Sequence, residues 1–255
     1  MLIYIALATV ASYGLGWAIG VPLFVPLFNT AASFPFMVAA LRQNRVGLAV
    51  ARMLIWAATM GVCAMVMSYR SPLATNRLFL RGADYRNEMF EWVRTGNGAE
   101  SSPSIFIPAQ ARDAAIFSAL AVATGGVVAM PMGAVLMNQM GHYVGALAAW
   151  SAHPAVTMIL GWHPWAVIRI ASFVVIGVVL SIPLLSAVDR RSSRAGQRGP
   201  REASPEGGGA RSDLDWKAAA RRYLPWAAGG LVVDIVLKSL LAPAWQRLLL
   251  RVVGW

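Results

Sequence analysis

A polytopic bundle of membrane-spanning helices is the fold class that the sequence predicts, and three observations predict it. The chain is 58% hydrophobic and only 13% charged, where soluble domains average about 45–50% apolar and about 25% charged. Its mean hydropathy is +0.58. Apolar runs of roughly 20 residues, the length that crosses hydrocarbon, recur along it between short polar or Gly/Pro-bearing breaks. The expected architecture is all-α, with about seven spans: an inverted 3+3 repeat of helix trios and one extra helix.

The first trio occupies residues 1–68. Residues 2–41 are almost free of charge, and as one helix they would measure about 60 Å, twice the hydrocarbon thickness. They are therefore two spans, or a span and a re-entrant segment, broken near Gly20, Pro22 and Pro26. After the basic loop "RQNR", a third span covers about 46–68. Residues 69–112 form a polar segment on the opposite side. Within it "DYRNEMFEWVRTG" is an amphipathic helix, capped by Asp84 and stopped by Gly96, lying on the membrane or over a cavity mouth. The second trio, 113–188, is expected as spans at about 113–138, 141–160 and 165–188. Residues 189–222 form a Gly/Pro/Ser/Arg linker too poor in apolar residues to fold. The segment 223–255 holds a last span, about 223–242, and an interfacial tail.

The net charge is +11. The arginines cluster between apolar runs, where anionic lipid headgroups account for them, so no nucleic-acid partner is expected. The linker is the strongest positive block and is placed in the cytoplasm, with the N-terminus, of a bacterial-type inner (plasma) membrane. The 69–112 segment is then extracytoplasmic. The start of the chain lacks a basic n-region and reads as a retained span. The single cysteine, Cys63, allows no internal disulfide.

Two hairpins echo one another. Pro35, Arg52 and Gly61 in 29–61 match Pro154, Arg169 and Gly177 in 150–177 to within one or two residues. Related trios of opposite orientation are one explanation, and two similar greasy hairpins are the other. Upstream of each lies a Gly/Pro-interrupted stretch, "GLGWAIGVPLFVP" and "GGVVAMPMG", and paired interruptions of this kind point to a transport site. The segment "MPMGAVLMNQMGHYVGALAAWSAHPAVTMILGWHPWAVIRIASFVVIG", over about 131–177, resembles the two-repeat predicted permeases that include the arsenical efflux permeases. The resemblance implies a broken helix, a small-residue helix and an Arg-bearing span around a solute path. The cysteine motif of arsenical transport is absent, so that substrate is not implied. The hairpin is also similar to the stage II sporulation protein M family.

Non-helical polar backbone persists at membrane depth only where it is buried or lines a cavity. The expected substrate path is therefore Asn29, Thr30, Pro131, Asn138, Gln139, His142 and His153, with 14–30 facing 125–142. For Asn138, Gln139 and His142 the alternative is hydrogen bonding to a neighbouring helix or a place at the interface. Were 142–153 one helix, His142 and His153 would share a face about 16 Å apart, too far for one metal. His163 belongs to a turn near the surface, and the three histidines match no zinc signature. Gly141, Gly145 and Ala149 have the spacing of a close helix contact. Arg52 and Arg169 either snorkel to headgroups or act as a gate or anion contact. Asp234 and Lys238, one turn apart in the last span, form an ion pair that docks this helix, or Asp234 couples protons.

No catalytic motif, cofactor site or metal site is expected, and the chain is not read as an enzyme. Its expected function is a small permease-like protein that moves a small solute or ion between broken helices. The alternative is a membrane scaffold or assembly subunit. The partners are the bilayer, anionic headgroups at the linker, and a second copy or a membrane-complex partner.

Overall fold

A computed structural model describes residues 2–196 and 215–255. Among them are ten α-helices, one 3-10 turn and no strand. The chain is an all-α polytopic helix bundle. Helices α1 (Leu2–Ile19), α2 (Phe24–Arg42) and α3 (Val46–Arg70) form the first trio. Short α4 (Pro72–Leu78), amphipathic α5 (Gly82–Thr95) and the 3-10 turn Ala99–Ser101 follow. Then come α6 (Pro103–Thr124), α7 (Ala129–Ala149), short α8 (Pro154–Leu160), α9 (Pro164–Gly196) and α10 (Trp216–Val253). Six of these, α1, α2, α3, α6, α9 and α10, are long and apolar enough to cross a membrane. This is a multi-pass membrane protein.

Local chemistry sets the breaks. Gly20 ends α1 with φ +71°, and residues 2–41 are two antiparallel helices. Gly125 and Gly126, at φ +60° and +89°, end α6 in the left-handed conformation that costs glycine nothing. Prolines open α4, α6, α8 and α9, where a missing N–H is harmless.

The glycine pair therefore places the α6/α7 break at 125–128, and not at 139–140 as the sequence predicts. Where spans are expected at 113–138 and 141–160, the helices are instead Pro103–Thr124 and Ala129–Ala149, and the second falls short of a membrane span in hydropathy. Neither interrupted stretch is a broken helix. Pro26 and Pro131 each occupy the third residue of a new helix, α2 and α7, inside the first turn, whose N–H groups lack intrahelical partners anyway. The last span is also longer than expected, 38 residues and about 57 Å. The linker expected at 189–222 is helical at both flanks, to Gly196 and from Trp216; its middle, 197–214, lies outside the described residues.

The bundle has a linker end and a cap end. Arg42 pairs with Asp189 at 2.7 Å, which puts the 43–45 loop and the end of α9 together. The opposite end carries α4, α5, the 3-10 turn and α8, and the tail of α10 returns there: Ala152 N–H donates to the Val253 carbonyl at 3.0 Å. Asp84 lies within the first turn of α5, and the residue before the helix is Arg81 at φ 56°, so Asp84 is not its cap. Gly96 does stop it, at φ +73°.

Two packed units make up the bundle. The most extensive helix contact is α3 on α7, flanked by α1 and α2. The second unit is α9 against α10 and α6. Fourteen of the 21 residues of α7 are buried, so this central helix meets protein rather than lipid over most of its surface. Gly141 and Gly145 face α3: a Cβ at Gly141 would lie 2.7 Å from Ala64 Cβ, and one at Gly145 would run into the Met65 carbonyl. The packing does not follow a two-fold repeat. The pair that such a repeat maps onto α3–α7 is α9–α2, and those helices touch only slightly. Pro35 lies inside α2, whereas Pro154 opens α8.

Candidate functional site: a cleft between the two units

The polar residues of the first unit are tied to one another. Asn29 of α2 donates from Nδ2 to Ser12 Oγ on α1 at 2.7 Å. Its Oδ1 accepts from Asn138 Nδ2 on α7 at 3.3 Å. The Tyr13 hydroxyl donates to Asn138 Oδ1 and lies 3.0 Å from the Met60 carbonyl. Trp56 Nε1 donates to the Asn29 carbonyl at 2.9 Å. All five side chains are buried. Segments 14–30 and 125–142 do meet, but as a closed network that fastens four helices, which is how polar side chains join helices where water is absent. Thr30 is occupied by the Pro26 carbonyl at 2.8 Å.

His142 is similarly engaged. Its Nε2 donates to Asn76 Oδ1 at 2.9 Å, an oxygen that also accepts from Arg86 at 2.8 Å. Its Nδ1 accepts from the Ser68 hydroxyl at 2.8 Å. His153 lies outside α7, exposed, just before α8, so it shares no helix face with His142. Arg52 does not snorkel: it is 4% exposed, and Nη1 donates to the Phe36 carbonyl at 2.6 Å.

The open space lies elsewhere. Because α7 meets α6 and α9 only loosely, a cavity of about 300 Å³ remains between the two units. On α9 its wall runs from Ala166 to Val178, a length of about 18 Å. Towards the linker end it is apolar, with Met37, Met53, Met130, Phe117 and Phe173. Towards the cap end it holds Gln110, Asp113, Gln139, Arg169, Glu100 and Lys238, with Tyr85 and Glu88 of α5 above them. Thus α5 lies over a cavity mouth. Of the residues expected to line a path, Pro131 lies in the first turn of α7 and Gln139 reaches this cavity, its amide donating to the Leu80 carbonyl at 3.0 Å.

A charge cluster forms the polar end. Lys238 and Asp234 do not pair. Lys238 Nζ lies 2.8 Å from Glu100 Oε1 on the 3-10 turn, with side chains 2% and 12% exposed, and 4.2 Å from the Phe106 ring centre. Asp234 accepts from the Gln110 amide through Oδ2, while its buried Oδ1 has no hydrogen-bond partner among the described residues. The reason is reach: Glu100 comes to Lys238 across the cap end, and α6 presents Gln110 to Asp234. Arg169, partly buried, makes no hydrogen bond or ion pair among the described residues.

Burial pushes the Glu100 carboxyl up, but the charges of Lys238, Arg169 and His163 and the Lys238 hydrogen bond outweigh it and hold the group below the ordinary range. His163 is not near the surface as expected: it is 1% exposed, stacked on Trp165 at 4.8 Å. Burial, reinforced by Arg169 and Lys238 and opposed by Glu100, lowers its pKa to about 4. Burial and the carboxylates of Glu100 and Glu88 push the Tyr85 phenol up.

Sequence reasoning missed Glu100 and Gln110. Glu100 sits among balanced charges in a polar segment and carries no local signal. Gln110, a lone amide in the apolar run "IFIPAQ", was a legible one. Among the described residues no group of three or more His, Cys, Asp or Glu is placed to hold a metal. No protein-family model, no curated protein and no solved structure matches this chain.

Proposed function

We propose that this chain is a small permease-like membrane protein whose substrate chamber is the cleft between the α1–α2–α3–α7 unit and the α6–α9–α10 unit. The observation that carries this reading is the chemical asymmetry of the cavity: apolar over most of its length, charged at the cap end, and walled by two units that are each well packed but loosely joined. Its size is that of a small-molecule site. Two rigid units around one chamber have the arrangement needed to expose it to one side and then the other. Arg169 is the substrate contact, and Asp234, held by the cavity-lining Gln110, is the group assigned to proton coupling. The basic linker end faces the cytoplasm in this reading.

A test that needs no substrate uses a thiol at Gly133, which lines the cavity and has room beside it. In oriented proteoliposomes of Cys63→Ala, Gly133→Cys protein, a permease is labelled by an impermeant thiol reagent added from either side. Labelling from one side only indicates a binding or scaffold protein, and no labelling removes the chamber altogether.

A further inference from the structure

We infer that the ligand of this chamber is a single-chain amphiphile with an anionic head, which sets its head against Arg169 and enters sideways from the lipid between α6 and α7. The inference rests on the chamber reading above. Arg169 is the lining cation that makes no hydrogen bond or close ion pair among the described residues, although Glu100, Asp234 and Asp113 act on it at longer range, whereas the other, Lys238, is held directly by Glu100. A guanidinium that makes no hydrogen bond keeps its N–H groups available, and a carboxylate or phosphate takes them in bidentate form. The acidic groups of the same cavity do not fill that place. Glu100 is engaged by Lys238, Asp113 lies 3.1 Å from Arg112, and Glu88 is at the exposed rim. Asp234, behind the wall, is bonded to Gln110.

Below Arg169 the α9 wall continues through Ile170, Phe173, Val174 and Gly177 to Val178. That is nine residues, about 14 Å, and Phe117, Met130 and Met137 from α6 and α7 also line the cavity. These walls favour a hydrocarbon chain over a hydrophilic solute. The seam to the lipid is marked by Leu136, which lines the cavity and is 40% exposed, and by Gly133, which brings no side chain of its own and leaves a Cβ's room before the Phe117 ring of α6.

The test is photoaffinity labelling of the full chain in phosphatidylcholine nanodiscs with palmitate bearing a diazirine near the end of its chain. The adducts are mapped by mass spectrometry. Expected adducts fall on α6, α7 and α9 residues that line the cavity. Unlabelled palmitate or lysophosphatidate competes, and whichever does so at lower concentration identifies a carboxylate or a phosphate head. Hexadecylamine and hexadecanol do not compete. Arg169→Gln lowers specific labelling at least tenfold, Arg169→Lys retains part of it, and Gly133→Trp abolishes it. Leu136→Trp serves if Gly133→Trp does not fold, as judged by its thermal unfolding. Labelling spread over the outer face of α1, equal competition by hexadecylamine, or wild-type labelling in Arg169→Gln overturns the inference. If the thiol at position 133 is reached from both sides while palmitate is not taken up, the ligand class alone is wrong. If that thiol is never reached, the chamber reading falls with it.

Discussion

Lys238 is held by a carboxylate 138 residues away and not by Asp234 one turn before it, and the two arrangements differ in what mutations do. Removing one partner of a buried pair leaves the other charge uncompensated, which costs roughly 3–5 kcal/mol. Glu100→Gln or Lys238→Met should therefore each lower the thermal midpoint of the detergent-solubilised protein strongly, and the double variant should recover part of the loss. A double-mutant cycle should find coupling between positions 100 and 238 and little between 234 and 238. The reverse result would restore the pairing that helical spacing predicts. The same cluster sets the response to acid. His163 has a folded pKa of about 4, against about 6.5 when unfolded. Below about pH 6.5 the unfolded chain takes up a proton that the folded one refuses, so stability is complete above that pH and is lost as pH falls towards 4. Glu100, depressed when folded, acts in the same direction at lower pH, its contribution vanishing as pH falls through its lowered pKa. The thermal midpoint should drop between about pH 7 and about pH 5, by up to about 2 kcal/mol of stability, and His163→Gln should flatten that drop.

At the scale of elements, glycine and proline separate structural from permissive positions. Gly145 has Met65 backbone where a Cβ would go, whereas Gly133 has only Phe117 at 3.6 Å. Gly145→Ala should force α3 and α7 apart and cost about 1–3 kcal/mol or more, while Gly133→Ala leaves the thermal midpoint near wild type. Pro131→Ala should fall within about 0.5 kcal/mol of wild type, because the proline sits in the first turn of α7. A large loss there would mean that α7 is indeed broken at this point. The spans themselves were legible, since runs of 18 or more apolar residues have few other uses, and so were the Gly20 break and the Gly96 stop, which rest on local backbone preference. The 125–128 break was misplaced because Pro131 and the "NQ" pair are louder in the sequence than two glycines. The cavity was not legible at all. It arises where two helix faces fail to meet, and Arg169 and Glu100 approach it from segments with no sequence relation. Asn29 and Asn138, expected on a substrate path, hydrogen-bond to each other, because two amides on facing helices satisfy each other where water is absent.

The whole molecule is two tightly packed units with a chemically graded space between them. The first unit closes its polar groups within itself, and the second leaves Arg169 exposed to the cleft. The cap end, with α5 and the 3-10 turn, holds the charged groups over the cleft, while the linker end carries the Arg42–Asp189 pair. If that cleft is a ligand chamber, filling it should remove a ligand and do little else. The measurement that tests this most directly is native mass spectrometry of the purified full chain beside Gly133→Trp. The account predicts that the wild-type protein retains a small-molecule adduct and that the filled variant, folded to the same thermal midpoint, has lost it. A wild-type protein with no adduct, or the same adduct on both, would contradict it.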